Sequence, residues 1–333
     1  RIDRLERLRT LIMDNRNDFV EALNTDFGVR SKNASMLSDV YGILPAITHA
    51  VKNVKKWNKI EKKSSNFPFG LLGAKSYIKY EPLGTVGMIS PWNFPVNLAF
   101  MPLVCIFAAG NQVMHKPSEH TPLTASLLKD LCDKAYDQNE FATFLGGPEV
   151  GAAFTQLQFD HLIYTGGNAV AKHVYSSASK NLVPCTLELG GKSPVIVSKT
   201  ADMKTTAKRI MFGKTLNAGQ ICLAPDYVVV HKDKKEEFIK ETKEAVSEYY
   251  PDIKNNDDYT SIINQAHYER LNDLLDDAIQ KGANVETINP SGEDFDAESM
   301  FSRAAQRADW GERDSQAAID AARKRQDRGG YNA

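Results

Sequence analysis

Four short motifs hold most of the side chains that could do chemistry. They contribute an amide at Asn93, an amine and a carboxylate at Lys116 and Glu119, a carboxylate at Glu188 and a thiol at Cys222. A thiolate adds to a carbonyl carbon and later leaves from a thioester, so Cys222 is a candidate nucleophile. An amide can stabilise the oxyanion of that addition, and a carboxylate can activate the water that ends it. Together these are the groups needed to oxidise an aldehyde through a thioester.

The four cysteines differ in their sequence surroundings. Cys105 lies in an apolar run, Cys132 in a predicted helix and Cys185 in a predicted strand, so all three fit buried structural thiols. Cys222 follows the small, polar residues Asn217-Ala218-Gly219-Gln220, which are typical of a loop. Taken alone, Cys222 could still be a buried structural cysteine.

Glu188 and Asn93 each allow two interpretations. Glu188 stands between Leu187 and Leu189, so we expect a buried carboxylate that is paired or has a raised pKa. A raised pKa would suit a general base, and the alternative is a structural ion pair with Lys192. Asn93 follows a predicted strand in a proline-bounded loop, where an oxyanion donor and a simple turn residue are both possible.

Two further features could bind an anionic ligand. Lys116 and Glu119 follow a predicted strand, at the edge where open α/β sheets bind ligands, although solvated loop charges are the alternative. The Gly166-Gly167 turn leads into a predicted helix whose N-terminus could face a phosphate. Glycine pairs are frequent, so this turn is weak support on its own.

Strand and helix patterns alternate along the chain and predict a doubly wound parallel α/β sheet. A strand arm precedes this sheet at about residues 75–81, and a second α/β unit follows it. The predicted sheet strands cover residues 85–89, 112–115, 141–145, 161–165 and 186–189. We predict a first domain over 1–188, a second over 189–295 and an arginine-rich tail over 296–333 that is disordered or helical, and undocked.

The order of the motifs resembles that of the aldehyde dehydrogenase superfamily, most closely its coniferyl aldehyde dehydrogenase branch, over roughly residues 1–295. The matching motifs are Ser90-Pro91-Trp92-Asn93-Phe94-Pro95, His115-Lys116-Pro117-Ser118-Glu119, Leu187-Glu188-Leu189-Gly190-Gly191-Lys192 and Asn217-Ala218-Gly219-Gln220-Ile221-Cys222 in its class 3-like form. This resemblance implies a Rossmann-like NAD-binding domain followed by an α/β catalytic domain that is incomplete in this chain.

The resemblance also implies a role for each matched residue. Cys222 would be the nucleophile, Glu188 the base and Asn93 the oxyanion donor. Glu119 would disfavour the 2′-phosphate of NADP, so NAD is the expected cofactor. The implied cofactor contacts are Ile89, Ser90, Pro91, Trp92, Lys116, Ser118, Glu119, Gly147, Gly151, Thr165, Gly166, Gly167, Leu189 and Gly190.

The sequence departs from the family pattern in two ways. A serine is usual at Gly167 and a glycine at Ala171, so a hydroxyl contact to phosphate is lost and cofactor binding should weaken. The family's Glu-Glu-Ile-Phe-Gly-Pro type motif and its C-terminal oligomer strands have no counterpart here. The expectations are therefore aldehyde oxidation by the family, a truncated chain that at most binds nucleotide, or a thiol esterase that needs no cofactor.

Bulk composition excludes several classes of protein. The 333 residues are 42% hydrophobic and 25% charged, as in ordinary soluble domains. A net charge of −1 gives no field that would attract nucleic acid or an anionic membrane. The scattered cysteines predict neither a disulfide framework nor a metal site. We expect a cytoplasmic protein with no membrane span. The resemblance implies a small-molecule substrate that is an aromatic aldehyde such as coniferyl aldehyde or a medium-chain aldehyde, and a homodimer for a full-length family member.

Overall fold

The computed structural model describes residues 1–292 and, near the C-terminus, residues 317, 319–321 and 323–324. The helices among them are α1 (Ile2–Asp14), α2 (Arg16–Phe27), α3 (Lys32–Ser35), α4 (Leu44–Trp57), α5 (Asn97–Ala109), α6 (Pro122–Ala135), α7 (Pro148–Phe154), α8 (Asn168–Ser179), α9 (Met203–Thr215), α10 (Lys235–Tyr249) and α11 (Gln265–Gln280). The strands are β1 (Glu61–Lys63), β2 (Ser76–Ile78), β3 (Thr85–Ile89), β4 (Gln112–Lys116), β5 (Phe141–Thr143), β6 (His161–Gly166), β7 (Cys185–Leu189), β8 (Ser193–Val197) and β9 (Pro225–Val230).

A five-stranded parallel sheet forms the centre of the first region. Its strand order is β5-β4-β3-β6-β7, and every neighbouring pair is parallel. The predicted strands agree with the observed ones to within two residues, because their short β-branched and apolar runs are bounded by glycine or proline. The predicted α/β class and parallel sheet are confirmed.

Helices cover both faces of this sheet, as they must when both faces of a parallel sheet are apolar. One face packs against α1, α2, α4, α5 and α6, with Phe100, Phe107 and Leu128 buried at the contact. The other face packs against α7 and α8 through Phe154 and Val174. The region up to β7 is thus a three-layer α/β/α unit.

A smaller α/β unit follows. Strands β8 and β9 pair in parallel, and their inner face packs on α9 and α10 around Val197, Met203 and Ile210. The outer face is open among the described residues, with Ile196 82% and Val229 54% exposed. Helix α11 has an apolar stripe but no buried residue. The division into domains at residue 188 stays a prediction.

The predicted strand arm is present as a hairpin of β1 and β2. It is exposed along its length, with Phe67 and Leu71 near its tip. Of the tail, residues 317, 319–321 and 323–324 are helical, and the rest lies outside the described residues. Ile319 and Arg323 line a small cavity beside α7, and the expectation of an undocked tail stays a prediction. No helix in the described ranges is long and apolar enough to cross a membrane.

Candidate active site

Most of the candidate functional side chains lie where the parallel strands end. Strands β3, β4, β6 and β7 run in the same direction, so Ile89, Lys116, Gly166 and Leu189 share one edge of the sheet. Open α/β sheets bind ligands at this carboxyl edge. The topology therefore brings together motifs that are far apart in sequence.

A buried ion pair fixes the loop that carries Asn93. Arg30 and Asp39 are 2.7 Å apart and both fully buried. Arg30 Nη1 donates to the Asn93 carbonyl oxygen at 2.9 Å. Asp39 Oδ1 accepts from the backbone N–H groups of Val96 and Asn97, each at 3.2 Å. The middle of the loop and its C-terminal end are thus held by charge-assisted hydrogen bonds.

Ser90 begins this loop and is anchored to the neighbouring strand. Its Oγ lies 2.8 Å from His115 Nε2, and both side chains are buried. Burial, followed by the adjacent Lys116 charge, lowers the pKa of His115 to about 3. The imidazole is therefore neutral at physiological pH.

The residues before Cys222 adopt an unusual backbone. Asn217, Ala218 and Gly219 have φ values of 52°, 51° and 76°. The left-handed region costs energy for residues other than glycine, so tertiary contacts must hold the loop. Asn217 Nδ2 donates to the Asn93 carbonyl oxygen at 3.2 Å. This bond ties the candidate nucleophile loop to the candidate oxyanion loop.

Cys222 is half-buried beside the turn that follows β7. A Cβ built on Gly191 would lie 3.6 Å from the Cys222 carbonyl oxygen. Burial and then the charge of Glu188 raise the pKa of the Cys222 thiol, while the backbone N–H groups of Cys222 and Leu223 act in the opposite direction. The carboxylate and the thiol are thus close enough to interact electrostatically.

The other cysteines only partly match their predicted burial. Cys132 is buried, and burial raises the pKa of its thiol well above the ordinary value. Cys185 is half-buried. The prediction for Cys105 is wrong, because this residue lies on the exposed side of α5. An apolar run in a helix does not show which face meets the sheet.

Glu188 lies at the predicted place but is not buried. Strand β7 is an edge of the five-stranded sheet, and the Glu188 side chain is exposed among the described residues. The sequence pattern suggested burial because Leu187 and Leu189 flank it, but those residues face the other side of the strand. The alternative ion pair with Lys192 is also wrong, since Lys192 pairs with Asp226 at 3.0 Å.

Asn93 has an unsatisfied side chain. Its Oδ1 is buried and has no hydrogen-bond partner among the described residues, while its carbonyl oxygen accepts from Arg30 and Asn217. Buried polar atoms are rarely left unpaired unless a ligand or water completes them. The unpaired atom is an acceptor and so suits a donor group of a ligand, whereas donation to an oxyanion would use Nδ2 and stays a prediction.

Lys116 and Glu119 form a partly buried ion pair. Lys116 Nζ and Glu119 Oε2 are 2.7 Å apart, and the Lys116 side chain is only 3% exposed. Burial opposes ionisation of Glu119, but the Lys116 charge and hydrogen bond outweigh it and lower the pKa of the carboxyl. The alternative of two solvated loop charges is therefore wrong for Lys116.

The glycine turn opens directly into α8. Gly167 precedes the first residue of that helix, and a Cβ built there would meet no atom within 4 Å. A Cβ on Gly166 would lie 2.3 Å from Tyr164 Oη, so a side chain at this position would displace the Tyr164 ring. A helix N-terminus with open space before it suits a phosphate group.

The remaining predicted cofactor contacts surround this edge of the sheet. Gly147 precedes α7 and donates its N–H to Glu149 Oε1 at 3.1 Å, and a Cβ on Gly151 would lie 4.0 Å from Lys116 Cε. Ser118 Oγ accepts from the His120 N–H at 3.2 Å. Pro91 and Trp92 are half-buried, Thr165 is buried and Gly190 is exposed.

A ring cluster beside Trp92 was not predicted. The Trp92 and His267 rings are 5.1 Å apart, and the His267 and His120 rings are 5.6 Å apart. Burial, followed by the charge of His120, lowers the pKa of His267 to about 4, so this ring is neutral at physiological pH. The position of His120 next to Glu119 was a possible signal, but no local pattern marks His267.

These residues fit a dinucleotide. The open helix N-terminus at Gly167, the buried Lys116 amine with its carboxylate partner and the unsatisfied Asn93 amide lie along one edge of the sheet. Among the described residues no group of three or more His, Cys, Asp or Glu side chains could hold a metal ion. The buried Lys116 amine and the open N-terminus of α8 are groups that suit an organic anion.

Comparisons with known proteins agree with this geometry. A probable coniferyl aldehyde dehydrogenase from Caulobacter vibrioides is 54% identical over 296 residues, which are 89% of this chain and 61% of that protein. The substrate-bound structure of Staphylococcus aureus AldH has a TM-score of 0.82 and 39% identity, covering 91% of this chain and 64% of that one. The NAD⁺ complex of Staphylococcus aureus betaine aldehyde dehydrogenase has a TM-score of 0.78 and 25% identity, covering 90% and 60%.

The chain thus spans about three fifths of the length of the relatives it matches. The sequence profile of the aldehyde dehydrogenase family matches residues 1–302, which include every motif described above. On this match, the chain belongs to the aldehyde dehydrogenase family.

Proposed function

We propose that the protein oxidises an aldehyde to a carboxylic acid with NAD, through a thioester on Cys222. The observation that carries this proposal is the tie between two loops. Asn217 Nδ2 donates to the carbonyl oxygen of Asn93, which brings the Cys222 loop beside the loop that carries the Asn93 amide. Glu188 is close enough to Cys222 to raise the pKa of its thiol.

Each residue has a separate role in the proposed reaction. The Cys222 thiolate forms a bond to the aldehyde carbon, and the Asn93 amide with the Cys222 N–H stabilises the resulting oxyanion. NAD, when bound, supplies the acceptor for the hydride. Glu188 then takes a proton from the water that attacks the thioester carbon. The carbon–sulfur bond breaks, the acid leaves and Cys222 is again a thiolate.

The cofactor proposal rests on Lys116, Glu119 and the N-terminus of α8. The amine and carboxylate suit ribose hydroxyls, and the open space at Gly167 suits the pyrophosphate. The lowered pKa of Glu119 keeps its carboxylate charged at neutral pH. A charged carboxylate would repel the 2′-phosphate of NADP, so kcat/KM should be higher with NAD. Equal values for the two cofactors would contradict this assignment.

For the substrate we propose a bulky aromatic aldehyde such as coniferaldehyde, or a medium-chain aldehyde. This rests on the name of the Caulobacter vibrioides relative and on the resemblance of residues 258–271 to that branch. Those residues are an argument by analogy, since a shared fold does not define a pocket. A higher kcat/KM for acetaldehyde than for coniferaldehyde would overturn it.

A second candidate is nucleotide binding without turnover. It is favoured by the exposure of Glu188 on an edge strand, since no described element covers that side chain. A base must be held in place to activate water, and positioning accounts for a large part of an enzymatic rate. In contrast, Lys116, which we propose contacts the cofactor, is buried and paired with Glu119.

The test is NADH formation from coniferaldehyde, measured beside NAD titration by tryptophan fluorescence. The proposal predicts NADH formation that Cys222→Ala abolishes and that Glu188→Gln slows after a first turnover. NAD binding with no NADH would favour the second candidate. Ester cleavage that needs no NAD, with no aldehyde oxidation, would instead point to a thiol esterase.

A further inference from the structure

Gln220, two residues before Cys222, has a fully engaged side chain. Its Nε2 donates to the carbonyl oxygens of Ser261 at 2.9 Å and Asn217 at 3.1 Å. Its Oε1 accepts from the Ile263 N–H at 3.0 Å. One amide thus makes three hydrogen bonds to main-chain groups, two of them more than forty residues away in sequence.

The two distant bonds of Gln220 reach residues 260–264, a segment that we name the strap. The strap is anchored independently of Gln220. Thr260 and Ile263 are buried, and the Ser261 N–H donates to the carbonyl oxygen of Val29 at 3.0 Å. Asn264 Oδ1 caps α11 by accepting from the His267 N–H at 3.0 Å. A buried and hydrogen-bonded segment is a rigid base from which to hold a loop.

The Cys222 loop needs such a base. Its residues 217–219 all have positive φ, and two of them are not glycine. Left-handed conformations of such residues persist only when surrounding contacts enforce them. Within the loop, Asn217 Nδ2 also donates to the Gln220 carbonyl oxygen at 3.2 Å. Gln220 is therefore the point where the strained loop meets the strap.

We infer that Gln220 is a positioning residue, which holds the loop so that the N–H groups of Cys222 and Leu223 stabilise the Cys222 thiolate. This inference rests on the proposed role of Cys222 as nucleophile. Gln220 acts through the loop and through the strap, and not on substrate. Removing its amide should release the loop and weaken the stabilisation of the thiolate.

The test uses the reactivity of Cys222 in the intact chain, which does not depend on turnover. The rate of alkylation by iodoacetamide is measured over a pH series, with the labelled peptides identified by mass spectrometry. Exposed Cys105 is the internal reference in the same sample. For Gln220→Ala we expect Cys222 to react about threefold more slowly at neutral pH and equally fast at high pH, a rise of roughly half a unit in apparent pKa.

Two further variants separate positioning from a general loss of structure. Gln220→Met keeps most of the side-chain volume without its polar atoms and should behave like Gln220→Ala. Asn181→Ala removes an amide that donates to the Gln156 carbonyl oxygen at 2.7 Å, outside the site, and should leave the Cys222 profile unchanged. Thermal unfolding and the Cys105 rate show whether each variant is folded.

The other possible results would overturn either the role of Gln220 or the assignment of Cys222 as nucleophile. An unchanged Cys222 profile in Gln220→Ala, a normal profile in Gln220→Met or an equal shift in Asn181→Ala would overturn the role of Gln220. A Cys222 that is inert at every pH in the unsubstituted chain, while Cys105 reacts, would instead contradict the proposed nucleophile. The two failures are therefore distinguishable.

Discussion

The region up to Leu189 and the region from Gly190 to Gly292 cover very different amounts of apolar surface. In the first, helices pack on both faces of a five-stranded sheet and bury large side chains such as Phe100 and Phe154. In the second, a two-stranded sheet is covered on one face only, and its core cluster has three buried members. The match covers 61% of the length of the Caulobacter vibrioides relative.

The difference also divides the candidate site. On the proposed cofactor side, Lys116 is buried and the Asn93 loop is fixed by the Arg30–Asp39 pair. On the nucleophile side, Cys222 is half-buried and depends on ties back to the first region and to the strap. The packed region (residues 1–189) thus positions its own groups, whereas the open region (residues 190–292) positions the candidate nucleophile by a few hydrogen bonds.

The largest expected effect lies in the packed region. Arg30→Met leaves Asp39 buried and uncompensated, which should lower the free energy of unfolding by about 3–5 kcal/mol. Urea denaturation measures this change. The control is Lys32→Met, which breaks an exposed pair with Glu21 and should cost less than about 1 kcal/mol. Similar losses in both variants would mean that the Arg30–Asp39 pair is not the anchor described here.

Deleting apolar volume should show the contrast between the regions directly. Leu162 in β6 is fully buried, and Leu162→Ala should cost about 2–5 kcal/mol. Ile196 in β8 is exposed, and Ile196→Ala should stay within about 0.5 kcal/mol. Chemical denaturation of the two variants gives both values. A comparable cost at Ile196 would show that its face of β8 is covered in solution.

The pH dependence of the free energy of unfolding should differ between the two regions. Hydrogen bonds from Arg7 and Arg4 lower the pKa of Glu140 to about 2. A depressed pKa stabilises the fold above the ordinary carboxyl value of about 4.3, and this contribution is lost as pH falls through about 2. Glu140→Gln should therefore cost about 1–2 kcal/mol at neutral pH, after allowance for solvent screening, and nothing near pH 2.

The control for Glu140 lies in the open region. Glu286 pairs with Lys243, but the pair is exposed, and Glu286→Gln should leave unfolding unchanged across the same pH series. The measurement is the denaturation midpoint of both variants at each pH. A Glu140→Gln deficit that persists undiminished at low pH would contradict the ion-pair explanation.

The smallest expected effect concerns cofactor affinity. Gly167→Ser restores the usual family residue at a position where a Cβ has open space. The serine hydroxyl should add one hydrogen bond to the cofactor, so the affinity for NAD should rise about threefold to tenfold. Gly166→Ser is the matched control, because its Cβ would displace Tyr164 and should weaken binding. Fluorescence titration with NAD measures both. No gain from Gly167→Ser would show that the pyrophosphate lies elsewhere.

Local sequence was sufficient for most of the fold. Thr85–Ile89 was predicted to the residue because a short β-branched run ends at a proline-containing loop. The parallel sheet followed from the alternation of such runs with helical patterns, and the strand arm from the alternation near Tyr77. These features depend on residues that are neighbours in sequence.

The predictions that were wrong and the contacts that were not predicted depend on residues far apart in sequence. The burial of Glu188 depends on what covers an edge strand, and that of Cys105 on which side of α5 meets the sheet. The bonds from Gln220 to the strap and from Asn217 to Asn93 cross long stretches of sequence. No local pattern marks either end of such a contact.

The location of an acyl group on the protein tests whether Cys222 is the nucleophile and Glu188 the base. The chain is mixed with p-nitrophenyl acetate, and digested samples of the unsubstituted protein and of Glu188→Gln are followed by mass spectrometry. We expect an acetyl group on Cys222 and none on the exposed Cys105, with a longer lifetime in Glu188→Gln. Acetylation of Cys105 without Cys222, or an equal lifetime in both proteins, would contradict the assignment of Cys222 as nucleophile and Glu188 as base.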